Sequence, residues 1–175
     1  MTQDQLEVKA TTFEDRDRVI DVVRRAFAQS TREDDEVTGI IAKTWERNAV
    51  PDGLDLVADQ SGIIVGHVMA GRGRISGEDA LGVAPLSVSP NNQRQGIGTA
   101  LMETVIDRAE DAGWPFVLLL GDPAYYGRFG FEPAGRRGIV YAPVGASSAH
   151  FQIKGLRGFD PSQWCGTFSY CWELP

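Results

Sequence analysis

Between Leu86 and Leu101 the chain passes from a strand, through a polar turn, into the first turn of an amphipathic helix. The segment reads Leu86-Ser87-Val88-Ser89-Pro90-Asn91-Asn92-Gln93-Arg94-Gln95-Gly96-Ile97-Gly98-Thr99-Ala100-Leu101. The first N–H groups of a helix have no intrahelical partner and carry the positive end of its dipole. Glycines at 96 and 98 remove the Cβ atoms that would keep an anion away from that backbone. Spacing excludes two familiar anion sites. A Walker loop requires Gly-Lys-Ser/Thr, and the sequence contains no Gly-Lys pair. A dinucleotide fingerprint requires a third glycine at 101, where Leu101 stands. Taken alone, Gly-x-Gly at a helix start suits a tight structural turn equally well.

The flanking sequence predicts a mixed α/β domain. Leu6, Val8 and Ala10 alternate as a short strand, and Thr11 with Glu14 reads as a capping box. Val19, Val22, Val23, Ala26 and Phe27 recur at helical spacing, as do Val37, Ile40, Ile41, Thr44 and Trp45. Strands are expected at 54–58 and 63–70, joined by Gln60-Ser61-Gly62, and at 80–88. The last contains Pro85, which cannot donate to a ladder and so belongs at an edge, a bulge or a place where strands part. Ile97, Leu101, Val105 and Ala109 line one face of a helix that Gly113 ends. Phe116 to Leu120 is an unbroken apolar run, the pattern of a strand covered on both faces.

Charge and cysteine content narrow the function classes. Seventeen basic residues face twenty-four acidic ones, a net charge of −7. That balance opposes a sequence-independent grip on nucleic acid, so any anionic ligand must be held locally. No apolar run reaches the roughly 18 residues of a membrane span, and the start MTQDQLEVKA lacks the order of a signal peptide. Cys165 and Cys171 could form one bridge at most, and their spacing with His67 and His150 is not that of a zinc site. The expectation is a cytoplasmic protein without metal, membrane or nucleic-acid partner.

Gln93-x-x-Gly96-x-Gly98, the proline-bearing strand before it, and Tyr126-Gly127-Arg128-Phe129-Gly130-Phe131 after it together resemble the GCN5-related N-acetyltransferase (GNAT) superfamily. Gly121-Asp122-Pro123-Ala124-Tyr125-Tyr126 resembles its YhbS-like branch. The likeness covers about residues 5 to 135 in element order and is specific over 81–133. It implies a central twisted, mostly antiparallel sheet with a splayed strand pair, flanked by helices. It also implies one domain over 1–175, with 134–175 supplying strands that complete the sheet. The implied activity is transfer of an acetyl group from acetyl-CoA to a primary amine by direct attack in a ternary complex. The alternative is a non-catalytic acyl-CoA-binding sensor or regulatory module. The partners are then acetyl-CoA and an amine acceptor, on a monomer or homodimer.

The same resemblance assigns residues. Gln93, Arg94, Gln95, Gly96, Ile97, Gly98 and Thr99 would form the pyrophosphate loop, and the backbone of Leu86, Ser87 and Val88 would pair with the pantetheine arm as a neighbouring strand does. The Val88 N–H would meet the thioester carbonyl, where negative charge develops. Tyr126 would protonate the departing thiolate, which a phenol with an ordinary pKa near 10 can do at neutral pH. Tyr125 is its understudy. Many relatives carry an asparagine ahead of this tyrosine, and here Gly121-Asp122-Pro123 stands instead. The proton acceptor is open: Glu78, Asp79 and His67 are candidates, but the first two read as turn residues and His67 as a buried strand histidine. Glu33 to Glu36 could draw a cationic amine or simply form a solvated loop.

Overall fold

A computed structural model describes residues 6–28 and 34–174. The strands are β1 (Leu6–Ala10), β2 (Asp55–Gln60), β3 (Ile63–Ile75), β4 (Glu78–Val88), β5 (Phe116–Leu120), β6 (Glu132–Pro133), β7 (Ile139–Tyr141), β8 (Phe151–Gly155) and β9 (Gly166–Tyr170). The helices are α1 (Arg16–Phe27), α2 (Asp34–Glu46), α3 (Ile97–Asp111) and the single turn α4 (Pro123–Tyr126). One sheet runs β1-β2-β3-β4-β5-β8-β6, with β9 against β3 and β7 against β9. Its ladders are antiparallel except β4–β5 and β7–β9. Among the described residues no helix is long and apolar enough to cross a membrane.

Turn chemistry fixes the register of the first hairpins. Ser61 and Gly62 both take positive φ, 54° and 87°, as do Ser76 and Gly77 at 50° and 93°. Two-residue loops of that kind match the twist of the strands they join. Helices cover both faces. Leu101, Met102 and Val105 of α3 pack on Leu56, Ala58, Val68 and Leu81. Val19, Val22 and Val23 of α1, with Val37 and Ile41 of α2, pack on Val57 and Met69 from the other side. A third, aromatic cluster of Phe116, Tyr141, Phe151, Phe168 and Tyr170 gathers around the C-terminal strands.

Two expectations are corrected. The capping box lies one residue later: the Asp15 carboxylate accepts the Thr12 N–H (2.9 Å) and hydroxyl (2.8 Å), while the Thr11 hydroxyl donates to Asp55 (2.7 Å). Strand β3 continues five residues past Ala70, to Ile75. Gly71 and Gly73 hide its alternation in the sequence, yet Gly73 is there for a packing reason. A Cβ on it would stand 2.5 Å from the Phe168 ring, which β9 lays over the end of β3.

The feature that positions the site lies in β4. Val68 pairs with Leu86 and Ala70 with Val83, so Ala84 and Pro85 together oppose Met69 in a bulge. Strand β5 pairs with β4 only at Gly82↔Leu118 and Val83↔Leu119. From Ala84 to Val88, β4 has no strand on its β5 side among the described residues. Pro85 thus sits where the sequence allows it, at a bulge and at the parting of two strands.

Candidate active site

The free side of β4 alternates. Ser89 donates its N–H to the Val65 carbonyl (2.8 Å), so every second residue, Ser87 included, turns its N–H and C=O toward β3. A Cβ on Gly66 would stand 3.1 Å from the Ser87 carbonyl, which agrees with that direction. Leu86 and Val88 therefore present their backbone groups to the opening, and the Val88 carbonyl there accepts the Gln93 side-chain amide at 3.2 Å. This corrects the expectation for Ser87: its backbone is used up in the β3 ladder and cannot pair with a ligand on the other side.

Beyond the strand, the chain turns through Arg94 (φ 60°) into Gly96 (φ 84°), the residue before α3. A glycine there has no side chain to cap the helix, and no side-chain cap bond is made. The space where a Gly96 Cβ would stand is open. The Gln93 and Gln95 amides are turned back onto the Val88 and Asn91 carbonyls. What this loop offers a ligand is its backbone: N–H groups at the positive end of a fifteen-residue helix. Arg94 is exposed beside it.

The two tyrosines divide between the two ends of the opening. The Tyr125 hydroxyl hangs over the helix start, where a Cβ on Gly98 would be 2.5 Å away, and its ring lies 3.9 Å from the Arg128 guanidinium carbon. Tyr126 points along the parted strands and packs edge-on to Tyr125 (4.9 Å) and Phe131 (6.0 Å). Burial, with a smaller contribution from Tyr125, holds its phenol above the ordinary value, so it stays protonated. Its ring lies so close over Gly121 that any Cβ there would collide with it. That contact explains why position 121 is a glycine.

A cavity of about 550 Å³ adjoins the opening. Its lining includes Leu86, Tyr126, Gly121, Asp122, Ser148 and His150, together with the apolar Phe27, Val37, Ile40, Val83, Leu120 and Val144. A second cavity of about 500 Å³ shares Ile40, Ala84 and Leu120 with it and carries Asp35, Glu36, Lys43 and Glu173. His150 arrives from the start of β8: Gly121 donates its N–H to the His150 carbonyl at 2.9 Å. The His150 Nδ1 lies 3.2 Å from the Gly121 carbonyl. A carbonyl only accepts, so Nδ1 is the donor here, and in the neutral ring Nε2 is then the nitrogen with the free lone pair. The sequence offered no motif around His150; the signal was the pairing of the two apolar runs at 116–120 and 151–153, which sets it beside Gly121.

Other candidates are not brought to the opening. His67 is fully buried, with Nε2 2.8 Å from Asp55 Oδ1. Burial opposes ionisation of Asp55, but hydrogen bonds from His67, Thr11 and Trp45 overcome it and hold the carboxyl below its usual range. Glu78 and Asp79 begin β4, on the order of 25 Å along the strand from Leu86, and Asp79 lies 3.4 Å from Arg72 and Arg74. Asp35 and Glu36 border the second cavity, and Glu33 lies outside the described residues. Cys165 and Cys171 are both free thiols. Among the described residues no group of acidic, histidine or cysteine side chains could hold a metal ion.

The sequence pattern of the acetyltransferase (GNAT) domain matches residues 7–134. The Escherichia coli protein named "Uncharacterized N-acetyltransferase YhbS" is 38% identical over 106 residues, 59% of this chain and 63% of that one. The aligned region thus spans less than two thirds of that relative. "Uncharacterized N-acetyltransferase YjhQ", also of Escherichia coli, is 33% identical over 143 residues, 79% of this chain and 76% of the other. Two crystal structures share the architecture. Escherichia coli YhbS in complex with CoA gives a TM-score of 0.86 at 26% identity, over 97% of this chain and 92% of that one. A GNAT family acetyltransferase from Brucella melitensis in complex with acetyl-CoA gives 0.79 at 25%, over 96% and 97%.

Proposed function

The chain belongs to the GNAT acetyltransferase family, and from that premise we propose that it moves an acetyl group from acetyl-CoA to a primary amine by direct attack in a ternary complex. The observation that carries this reading is the unpaired edge of β4, flanked at one end by the uncapped start of α3 and at the other by Tyr126. Those three features fit the three parts of the donor. N–H groups from Gln95 to Thr99 suit the pyrophosphate, the Val88 backbone suits the pantetheine amide, and Tyr126 suits the sulfur. The family resemblance implies the Val88 N–H for the thioester carbonyl. Here that role goes to the Leu86 N–H, because Leu86 and not Val88 lines the cavity with Tyr126.

The chemistry follows from proton positions. The amine attacks as a neutral nucleophile, forming a C–N bond while the C–S bond breaks. Negative charge on the carbonyl oxygen meets the Leu86 N–H. One proton leaves nitrogen for His150 Nε2, the ring nitrogen that does not face the Gly121 carbonyl, and one passes from the Tyr126 hydroxyl to the thiolate. His150 and the phenol are restored by exchange with solvent. Thiol release from acetyl-CoA, measured over a panel of primary amines beside calorimetric binding of acetyl-CoA, tests the proposal. Amine-dependent release supports it. Binding without release with any amine would leave a coenzyme A sensor in its place.

A further inference from the structure

An acetyl group presents one methyl beyond its carbonyl, yet the cavity that receives it has about 550 Å³. Cavities of roughly 300–1,000 Å³ are those that enclose whole drug-sized molecules. Its lining is uneven. Beside the polar groups of Asp122, Tyr126, Ser148 and His150, the cavity is lined by six hydrocarbon side chains, Phe27, Val37, Ile40, Val83, Leu120 and Val144. Four of these, Phe27, Ile40, Leu120 and Val144, keep part of their surface open to solvent. With only a methyl beside them that apolar surface stays wet, which is unfavourable in proportion to its area. The amine has its own approach. The second cavity meets the first at Ile40, Ala84 and Leu120, and its charged side chains suit a polar acceptor rather than a hydrocarbon.

We infer that the apolar part of this cavity is an acyl-chain pocket, and that the chain accepts CoA thioesters of short hydrocarbon acids, butanoyl to octanoyl, in preference to acetyl. The inference rests on the coenzyme A reading above and goes beyond it in naming the donor's acyl class. The reaction is unchanged in form: the acyl carbon exchanges its bond to sulfur for one to nitrogen, with the same two proton transfers. The longer chain lies along the apolar side chains of the cavity and displaces water from them.

Binding tests this without any acceptor. Affinities of CoA, acetyl-CoA, butanoyl-CoA and hexanoyl-CoA are measured by calorimetry on the full chain. A methylene moved from water into an apolar wall improves binding about fourfold, so hexanoyl-CoA is expected to bind well over tenfold more tightly than acetyl-CoA. Val144→Trp fills the pocket from its exposed rim and is expected to erase that gain while leaving CoA itself bound as before. Ile40→Phe does the same from α2, and unchanged CoA binding in either variant reports an intact fold. If CoA binds but affinity is flat or falls with chain length, the acyl pocket is overturned and the acetyl reading stands. If CoA does not bind, both are overturned.

Discussion

The two ends of the parted strand pair work by opposite means. At the α3 end, the proposed ligand contacts are backbone N–H groups on one stretch of five residues, 95 to 99, and the side chains of Gln93 and Gln95 are turned back onto the loop. At the cavity end the proposed contacts are side chains that stand far apart in sequence, Ile40 on α2, Tyr126 at the end of α4 and His150 before β8. A backbone site tolerates any side chain that points away and rejects any Cβ that strains the turn. A side-chain site is the reverse: its scaffold can vary, but a single missing atom can abolish its chemistry.

Substitutions can break or sharpen that contrast. The largest effect is expected from Tyr126→Phe, which removes one hydroxyl and little volume. Turnover should fall roughly 10²- to 10⁴-fold, in kcat and kcat/KM alike, with acetyl-CoA binding almost unchanged. The raised phenol pKa adds a pH signature. A general acid works only while protonated, and a pKa above the ordinary value of about 10 moves its loss to still higher pH. Activity should therefore show no alkaline fall from this group below about pH 10. His150→Gln can still donate to the Gly121 carbonyl but cannot take a proton from the amine. A drop of roughly 10²-fold in kcat is expected, and an unchanged rate would hand the proton to water.

At the other end the expected losses are in binding. Gly96→Val forces a branched residue to φ 84°, a strain of about 1–3 kcal/mol that the loop can relieve only by leaving its shape. Coenzyme A affinity should fall roughly tenfold or more, and kcat at saturation should hold. Smallest of all is Gln95→Ala: the amide contacts only the Asn91 carbonyl, so affinity should change by no more than about threefold. A larger loss would mean that this end, too, works through side chains.

The same contrast explains what the sequence made legible. Helix α3, its glycine entry and the strand before it are local, so spacing alone reveals them. Pro85 announces a break in the ladder, although only the pairing of Met69 with both Ala84 and Pro85 identifies it as a bulge. The alternation that withdraws Ser87 from the site needs the direction of one bond, Ser89 to Val65, which no composition rule supplies. His150 was hidden for a different reason. Nothing near it in sequence marks it, and it shares a cavity with Tyr126 only because β8 pairs antiparallel with β5 and brings residue 150 beside Gly121. The capping box slipped by one residue because Thr11 and Thr12 are both capable caps, and Asp55, some forty residues away, takes the first of them.

The bulge in β4 has a consequence for how such a chain can change over time. Strand pairing not made beyond Val83 is stability left unclaimed, with each ladder bond worth about 0.5–1.5 kcal/mol. Deleting Ala84 would leave Leu86 facing Val68 as now, but would straighten the strand and let it close toward Leu120. Such a protein could melt at a higher temperature and bind nothing. Selection for robustness alone would zip this sheet shut, and under the proposed function a ligand in place of the missing strand is what keeps it open.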